Sequence, residues 1–281
     1  MYTQITVNDI KGNEVLLKVW DLVNQAHAGQ MRKGLLPTCH HPEQKPDTHP
    51  EYVTHPFRAM EIVANALGNP KEVLKDQKNI PIFAAALAHD MIEDTPLNTE
   101  TRLVAALIPI MGFQNARRTA HLVQELSNPP EGFPGETKQE RDAAKKVWQS
   151  EHAKTMSVDA KIVKMADQIA NTIDSVDLFM SKPDGKGGYE DIWTKEKKDS
   201  YVEKAAAVCS ACLVGTETAP EQKKEVFKKL ERFEKDAYNY AQMKIENPML
   251  CFRDFFRELE DATKVPDMRP FNKFLKPSKT R

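Results

Sequence analysis

Six residues from three separated stretches have the types that hold a cation and move a proton. His55 lies in YVTHP, His89 and Asp90 close the apolar run AAALAHD, Glu93 and Asp94 follow three and four residues after Asp90, and Asp167 sits in KMADQIAN. Two imidazoles with two carboxylates suit a borderline-to-hard divalent ion such as Mn²⁺. The four thiolates of a closed structural zinc site have no compatible arrangement, because the cysteines are Cys39, Cys209, Cys212 and Cys251. An adjacent His-Asp pair at a helix end can turn both side chains to one ion while the helix anchors them. A lone His-Asp dipeptide is common, so the signal lies in the ordered set.

Each neighbouring motif also has a plain structural reading. His27, in AHAGQ, lies on a mostly apolar face and reads as a hydrogen-bonded packing residue before it reads as a ligand. Glu93-Asp94-Thr95 before Pro96 can be a simple helix-end turn. Cys209-x-x-Cys212 resembles half of a redox or zinc site, but it falls in an apolar helical run with no second pair, which favours buried small residues. Cys39, His40, His41 and His49 could hold a second metal, or simply decorate a proline-rich loop.

The elements that must position these groups are helical. Apolar residues recur at three- and four-residue spacing over Asn13–Gln30 (Val15, Leu16, Val19, Leu22, Val23), and helical signals resume over Pro56–Leu67 and Ile80–His89. Asn98 and Thr99 read as caps for a helix running into Ile110; another covers Asn115–Leu126 before the Pro/Gly-rich stretch Asn128–Gly135. A long helix is predicted from about Val158 to Phe179, with Ile162, Ala166, Ile169, Ile173 and Val176 on one face. Lys164, Asp167 and Asn171 stand at i, i+3 and i+7 of that helix and so share a stripe. No alternating strand pattern longer than a few residues and no internal repeat is present. After Gly215 the chain turns charged, with Val226, Leu230, Phe233, Ala237 and Tyr240 as an apolar stripe over Glu221–Met243. Asn247-Pro248 then reads as a further helix start, and the stretch from Val265 as polar tail.

Bulk properties exclude several classes. Among 281 residues, 40 Lys and Arg against 41 Asp and Glu leave a net charge of −1, without the basic excess of a duplex nucleic-acid binder. A local basic cluster for a small anion is still compatible with that balance. Hydrophobic residues make up 40% of the chain, enough for a core, and no apolar run approaches membrane-spanning length. The start, MYTQITVNDIKGNE, has neither the basic opening nor the apolar stretch of a signal peptide, and the cysteines do not suggest a disulfide framework. The expected setting is cytoplasmic.

Taken in order, AHAGQMRKG, YVTHP, AALAHDMIEDT and KIVKMADQIAN resemble the hydrolase domain of RelA/SpoT-type alarmone enzymes and, most of all, the small alarmone hydrolases. The resemblance spans roughly residues 12–215 and includes GGYEDIWTKEKKDSYVEKAAAV, similar to the closing helix of the small hydrolases. The synthetase half of the bifunctional enzymes has no counterpart. The resemblance implies an all-helical HD fold that binds one Mn²⁺ and removes the 3′-diphosphate from ppGpp and pppGpp. Carried over residue by residue, it implies metal ligands at His55, His89, Asp90 and Asp167, and Glu93 and Asp94 around the attacking water. It implies substrate contacts at Arg32 and Lys33, against the phosphates, and at Asn171 and Lys164, one turn to either side of Asp167.

Departures from the pattern bear on the substrate. The loop from Leu36 to Glu51 is longer than usual; DRLHN becomes Asp167-Gln168-Ile169-Ala170-Asn171; and Ile173 and Asp174 stand where the long bacterial enzymes carry a basic and a hydroxyl residue. The expectation is therefore an all-α HD-domain bundle at 1–216 with a helical C-terminal extension at 217–281, hydrolysing (p)ppGpp-like alarmones by metal-activated water. The alternatives are a hydrolase of another 3′-phosphorylated nucleotide, such as an adenine alarmone or NADPH, and a nucleotide-binding regulator. The expected partner is a small nucleotide, with no duplex nucleic acid and no membrane; a homo-oligomer is left open.

Overall fold

The computed structural model of the chain describes residues 2–32, 51–177, 181–183, 189–191 and 193–246. At its centre is a helix with no polar face. In α1 (Val7–Ile10), α2 (Glu14–Ala26), α3 (Thr54–Leu67), α4 (Pro70–Val73) and α5 (Ile80–Ala88), only α5 is apolar on all sides. Its sequence, IPIFAAALA, is buried throughout, as a helix without a polar stripe must be. Pro81 is its second residue, in the first turn where a backbone N–H has no partner within the helix, and its alanines let α2, α3 and two later helices pack against it.

Past α5 the backbone breaks for His89 and Asp90 before the single turn α6 (Met91–Asp94). Asp90 has φ −93° and ψ −1°, in the sparsely populated bridge region where active-site residues recur. α7 (Glu100–Leu126) begins at the expected cap: the Thr99 hydroxyl accepts from the Arg102 N–H at 3.2 Å. Gly112, at φ 74°, divides it into the two helices read from the sequence. α8 (Lys138–Thr155) is announced by a capping box between Thr137 and Glu140 but not by apolar periodicity: its Val147 is 65% exposed.

α9 (Val158–Asp177) is the second buried helix and packs on α3, α5 and α7. A short antiparallel hairpin follows, β1 (Ser181–Pro183) with β2 (Tyr189–Asp191), pairing Lys182 with Glu190. It is the one addition to an otherwise all-α fold among the described residues. α10 (Lys195–Leu213) lies across α8 and α9, and α11 (Glu221–Glu246) covers α9, α3 and α10. The α11 stripe is buried as its spacing predicts: Val226, Phe227, Leu230, Ala237, Tyr240 and Ala241 join the same core as α3 and α5. Fully burying a residue such as Leu230 contributes roughly 1.5–3 kcal/mol, so α11 is a substantial part of the structure. The Tyr240 hydroxyl also donates to Asp177 of α9.

Two fastenings frame the fold. The N-terminal segment is tied to α3, with the Thr3 N–H donating to Asn65 Oδ1 at 2.6 Å and the Ile5 N–H to Glu61 Oε1 at 2.8 Å. Met31 and Glu51 form an isolated antiparallel bridge, and the Tyr52 N–H donates to the Gln30 carbonyl at 3.1 Å. Both ends of the 33–50 segment therefore stand side by side. Lys33, most of the 36–51 loop, Cys39, His40, His41, His49 and the helix expected after Asn247 lie outside the described residues.

Candidate metal centre and anion site

Three helices converge on one point. His55 comes from the first turn of α3, His89 from the end of α5, and Asp167 from the middle of α9. One ligand atom from each lies within 4.8 Å of the others, the one such grouping of three among the described residues. His55 Nε2 is 3.2 Å and His89 Nε2 3.6 Å from the same oxygen, Asp167 Oδ1. Asp90 is outside this trio, but its Oδ2 is 3.2 Å from His89 Nε2.

The hydrogen bonds fix which nitrogen of each imidazole faces Asp167. His89 Nδ1 is 2.9 Å from the Ala86 carbonyl, which can only accept, so Nδ1 holds the proton and Nε2 faces Asp90 and Asp167. His55 Nδ1 is 3.0 Å from Asp174 Oδ2, and its Nε2 likewise faces Asp167. Nε2 of His89 is buried without a hydrogen-bond partner. Buried lone pairs aimed at carboxylates are stable only with positive charge between them. Burial works to lower the His89 pKa, yet Asp90 and Asp167 outweigh it and push the imidazole up to about 9. The arrangement thus draws a cation, and its two nitrogen and carboxylate oxygen donors fit a divalent ion.

Asp167 is held ionised. Burial opposes its charge, but Lys164 Nζ at 3.0 Å, with His55 and His89, keeps its carboxyl well below the usual range. Gln168 Nε2 at 2.9 Å and Asn171 Nδ2 at 2.6 Å also donate to it. The predicted stripe Lys164–Asp167–Asn171 is therefore one hydrogen-bonded unit. The Lys164 ammonium is buried and stays charged, because Asp167, Glu93 and Asp90 overcome its desolvation.

Glu93 and Asp94 stand exposed on α6 beside this cluster. Both Glu93 oxygens are taken by Asn128, through its N–H at 2.9 Å and its side-chain amide at 2.5 Å. Asp94 Oδ2 and Asp90 Oδ2 are each 2.7 Å from the Tyr52 hydroxyl, which has a single hydrogen for the two. Burial, then Asp90, raises the Tyr52 pKa, so the phenol stays protonated. Arg32 donates to Asp174 Oδ2 at 2.8 Å, and its guanidinium lies 5.7 Å from the centre of the Tyr52 ring. His27 is the packing residue expected, bonded to Gln30 at 2.9 Å and stacked on Tyr52 at 4.8 Å. Cys209 and Cys212 are buried thiols, Cys212 pushed up to about 12 by burial.

Sequence reasoning missed Tyr52, Asn128, Tyr201, Lys204 and the role of Asp174. The Tyr201 hydroxyl reaches Asn171 Oδ1 at 3.4 Å and its ring lies 5.2 Å from Trp193. Burial, then the nearby Lys145 and Lys164, pushes the Lys204 ammonium down to about 8. With Lys145 and Lys164 near enough to act on it, Lys204 belongs to a local positive field beside Asp167, despite the chain's near-neutral total. The available signal was spacing: Tyr201 and Lys204 sit at i and i+3, one turn of a single face of α10.

The described residues form a mainly helical fold with His-Asp at the end of a buried helix and a second His and Asp brought to it, the arrangement expected of an HD-type hydrolase. The chain is 29% identical over 209 residues to the guanosine-3′,5′-bis(diphosphate) 3′-pyrophosphohydrolase MESH1 of Danio rerio, covering 74% of this chain and 89% of that one. A solved structure of a metazoan orthologue of SpoT that hydrolyses ppGpp shares the fold, with a TM-score of 0.50 at 21% identity over 79% of this chain and 94% of that one. No protein-family model matches. Sequence and fold together make the chain similar to the HD-type alarmone hydrolases. Among the described residues, no helix is long and apolar enough to cross a membrane.

Proposed function

We propose that the chain is a Mn²⁺-dependent hydrolase that removes the 3′-diphosphate from (p)ppGpp-like nucleotides in the cytoplasm. The observation that carries this reading is the His55–His89–Asp167 trio, with Asp90 beside it and Glu93 one turn beyond. The relatives named above act on ppGpp or carry that activity in their names, and they supply the substrate class. In this reading His55, His89, Asp90 and Asp167 hold the ion. When bound, a divalent ion lowers the pKa of a water toward neutrality and polarises the phosphoryl oxygen.

The chain's own groups do the rest. Glu93, steadied by Asn128, takes the proton of the water that attacks the phosphorus, with Asp94 held next to it by Tyr52. The phosphorus–O3′ bond breaks, O3′ takes a proton from solvent to depart as a hydroxyl, and Glu93 returns to solvent the proton it took. Arg32 and Lys33 offset the charge of the phosphates, which in-line displacement needs more than covalent help, and Lys164 and Lys204 add to the same field. Asn171 and Tyr201 face the nucleoside.

The test is release of diphosphate or phosphate, with Mn²⁺, from a panel of ppGpp, pppGpp, their adenine counterparts and NADPH. Diphosphate release from the guanine compounds, abolished by His89→Ala, is the expected result. Turnover of NADPH or the adenine compounds alone would move the substrate assignment to the alternative that Ile173 and Asp174 leave open. Binding without turnover of any compound would leave a nucleotide-binding regulator.

A further inference from the structure

Asp174 lies one turn past Asn171 on α9, 6% exposed, and three donors meet on its carboxylate. Oδ2 accepts from His55 Nδ1 at 3.0 Å and from Arg32 Nη2 at 2.8 Å; Oδ1 accepts from Arg58 of α3. We propose that Asp174 is a positioning residue whose one carboxylate fixes both the tautomer of His55 and the aim of Arg32, presetting the metal site and the phosphate site together. This rests on reading His55 as a metal ligand.

The argument is one of donors and acceptors. An ionised carboxylate only accepts, so a hydrogen sits on Nδ1 toward Asp174; Asp167 makes the same demand on Nε2, and it is there that a bound cation would take the place of a second hydrogen. A carboxylate behind an imidazole in this way orients the ring and raises its basicity as a ligand. The guanidinium groups of Arg32 and Arg58, both ion-paired to Asp174, favour its charged, acceptor-only form. A freely rotating arginine would lose rotamer entropy on gripping a phosphate; one already held at 2.8 Å loses less. A purely structural ion pair would explain Arg58 but not the convergence of His55 and Arg32 on the same oxygen.

The experiment uses the full chain and Asp174→Leu, which keeps the branching at Cγ and removes the acceptors. Long-range ¹H–¹⁵N NMR reads the tautomer of His55, and Mn²⁺ alone is titrated into each protein. The wild type should show the Nδ1–H tautomer. Asp174→Leu should lose it and bind Mn²⁺ on the order of 10–100-fold more weakly. An Nε2–H tautomer in the wild type, or an unchanged tautomer or Mn²⁺ affinity in the variant, overturns the role of Asp174. If Asp174→Leu does not fold, Arg58→Met/Asp174→Leu leaves no cation stranded at Arg58 and carries the same readouts. A wild type that binds no Mn²⁺ sinks the metal reading instead, and the tautomer measurement then decides Asp174 alone.

Discussion

Glu93, proposed above as the group that activates the water, shows what such a carboxylate needs besides its charge. Both oxygens are fixed by Asn128, so its direction is set by a residue 35 positions along the chain. Glu93→Gln keeps the shape and at least one of these bonds while losing the base. It is expected to lower kcat by on the order of 10²-fold or more, with Mn²⁺ affinity and KM nearly unchanged; a parallel loss of Mn²⁺ in a metal titration would make Glu93 a ligand. The residues legible in the sequence were those whose own side chains carry chemistry: His55, His89, Asp90, Glu93 and Asp167. Tyr52, Asn128 and Asp174 were not, because each acts by holding another side chain. Their separations of 38, 35 and 119 residues from Asp90, Glu93 and His55 leave no local pattern to read.

Among the elements, α3, α5, α9 and α11 were legible because each turns an apolar face, or in α5 every face, to the core. α8 was not, since it packs on α10 with few apolar residues. The N-terminal fastening was also invisible, and it has a pH dependence of its own. Burial pushes the Glu61 carboxyl up to about 7, against the bond from the Ile5 N–H and the nearby Arg58. Because the folded pKa lies above the ordinary 4.5, the folded state favours the neutral acid. Its contribution is therefore greatest below about pH 4.5 and is lost as pH rises through about 7. Glu61→Gln keeps an acceptor for Ile5 and removes the charge. Its Tm should exceed that of the wild type at pH 8 and match it near pH 4.5; parallel Tm curves across this range would refute the assignment.

At the scale of the whole molecule, one core spans residues from Ile5 to Ala241. α9 is covered on one side by α3 and α5 and on others by α10 and α11, so the helix that carries Asp167 has its position set from all round. A chain ended after Thr218 exposes the surface that Val226, Phe227, Leu230 and Tyr240 cover. It is expected to lose cooperative thermal unfolding and bind hydrophobic dyes, as seen by circular dichroism and fluorescence. A sharp transition close to that of the full chain would instead make α11 a dispensable extension, the division at residue 216 that the charge pattern suggested.

The bridge between Met31 and Glu51 bears on how this site can diversify. It closes a ring of chain whose two roots also hold the centre, Gln30 on the Asp94 carbonyl at 2.8 Å, Arg32 on Asp174 and Tyr52 on Asp90. Closing such a ring costs entropy that grows only with the logarithm of its length, about 0.6 kcal/mol for each doubling. Insertions between the roots are therefore nearly neutral for stability, while the roots themselves join Arg32 and Tyr52 to the residues around the metal cluster. Replacing residues 37–50 with Gly/Ser linkers of increasing length should shift Tm little and leave Mn²⁺ affinity intact, yet alter the ranking of guanine and adenine nucleotides in kcat/KM. A ranking unchanged by every linker would mean the ring is closed for stability alone, and that lineages of this fold change substrate elsewhere.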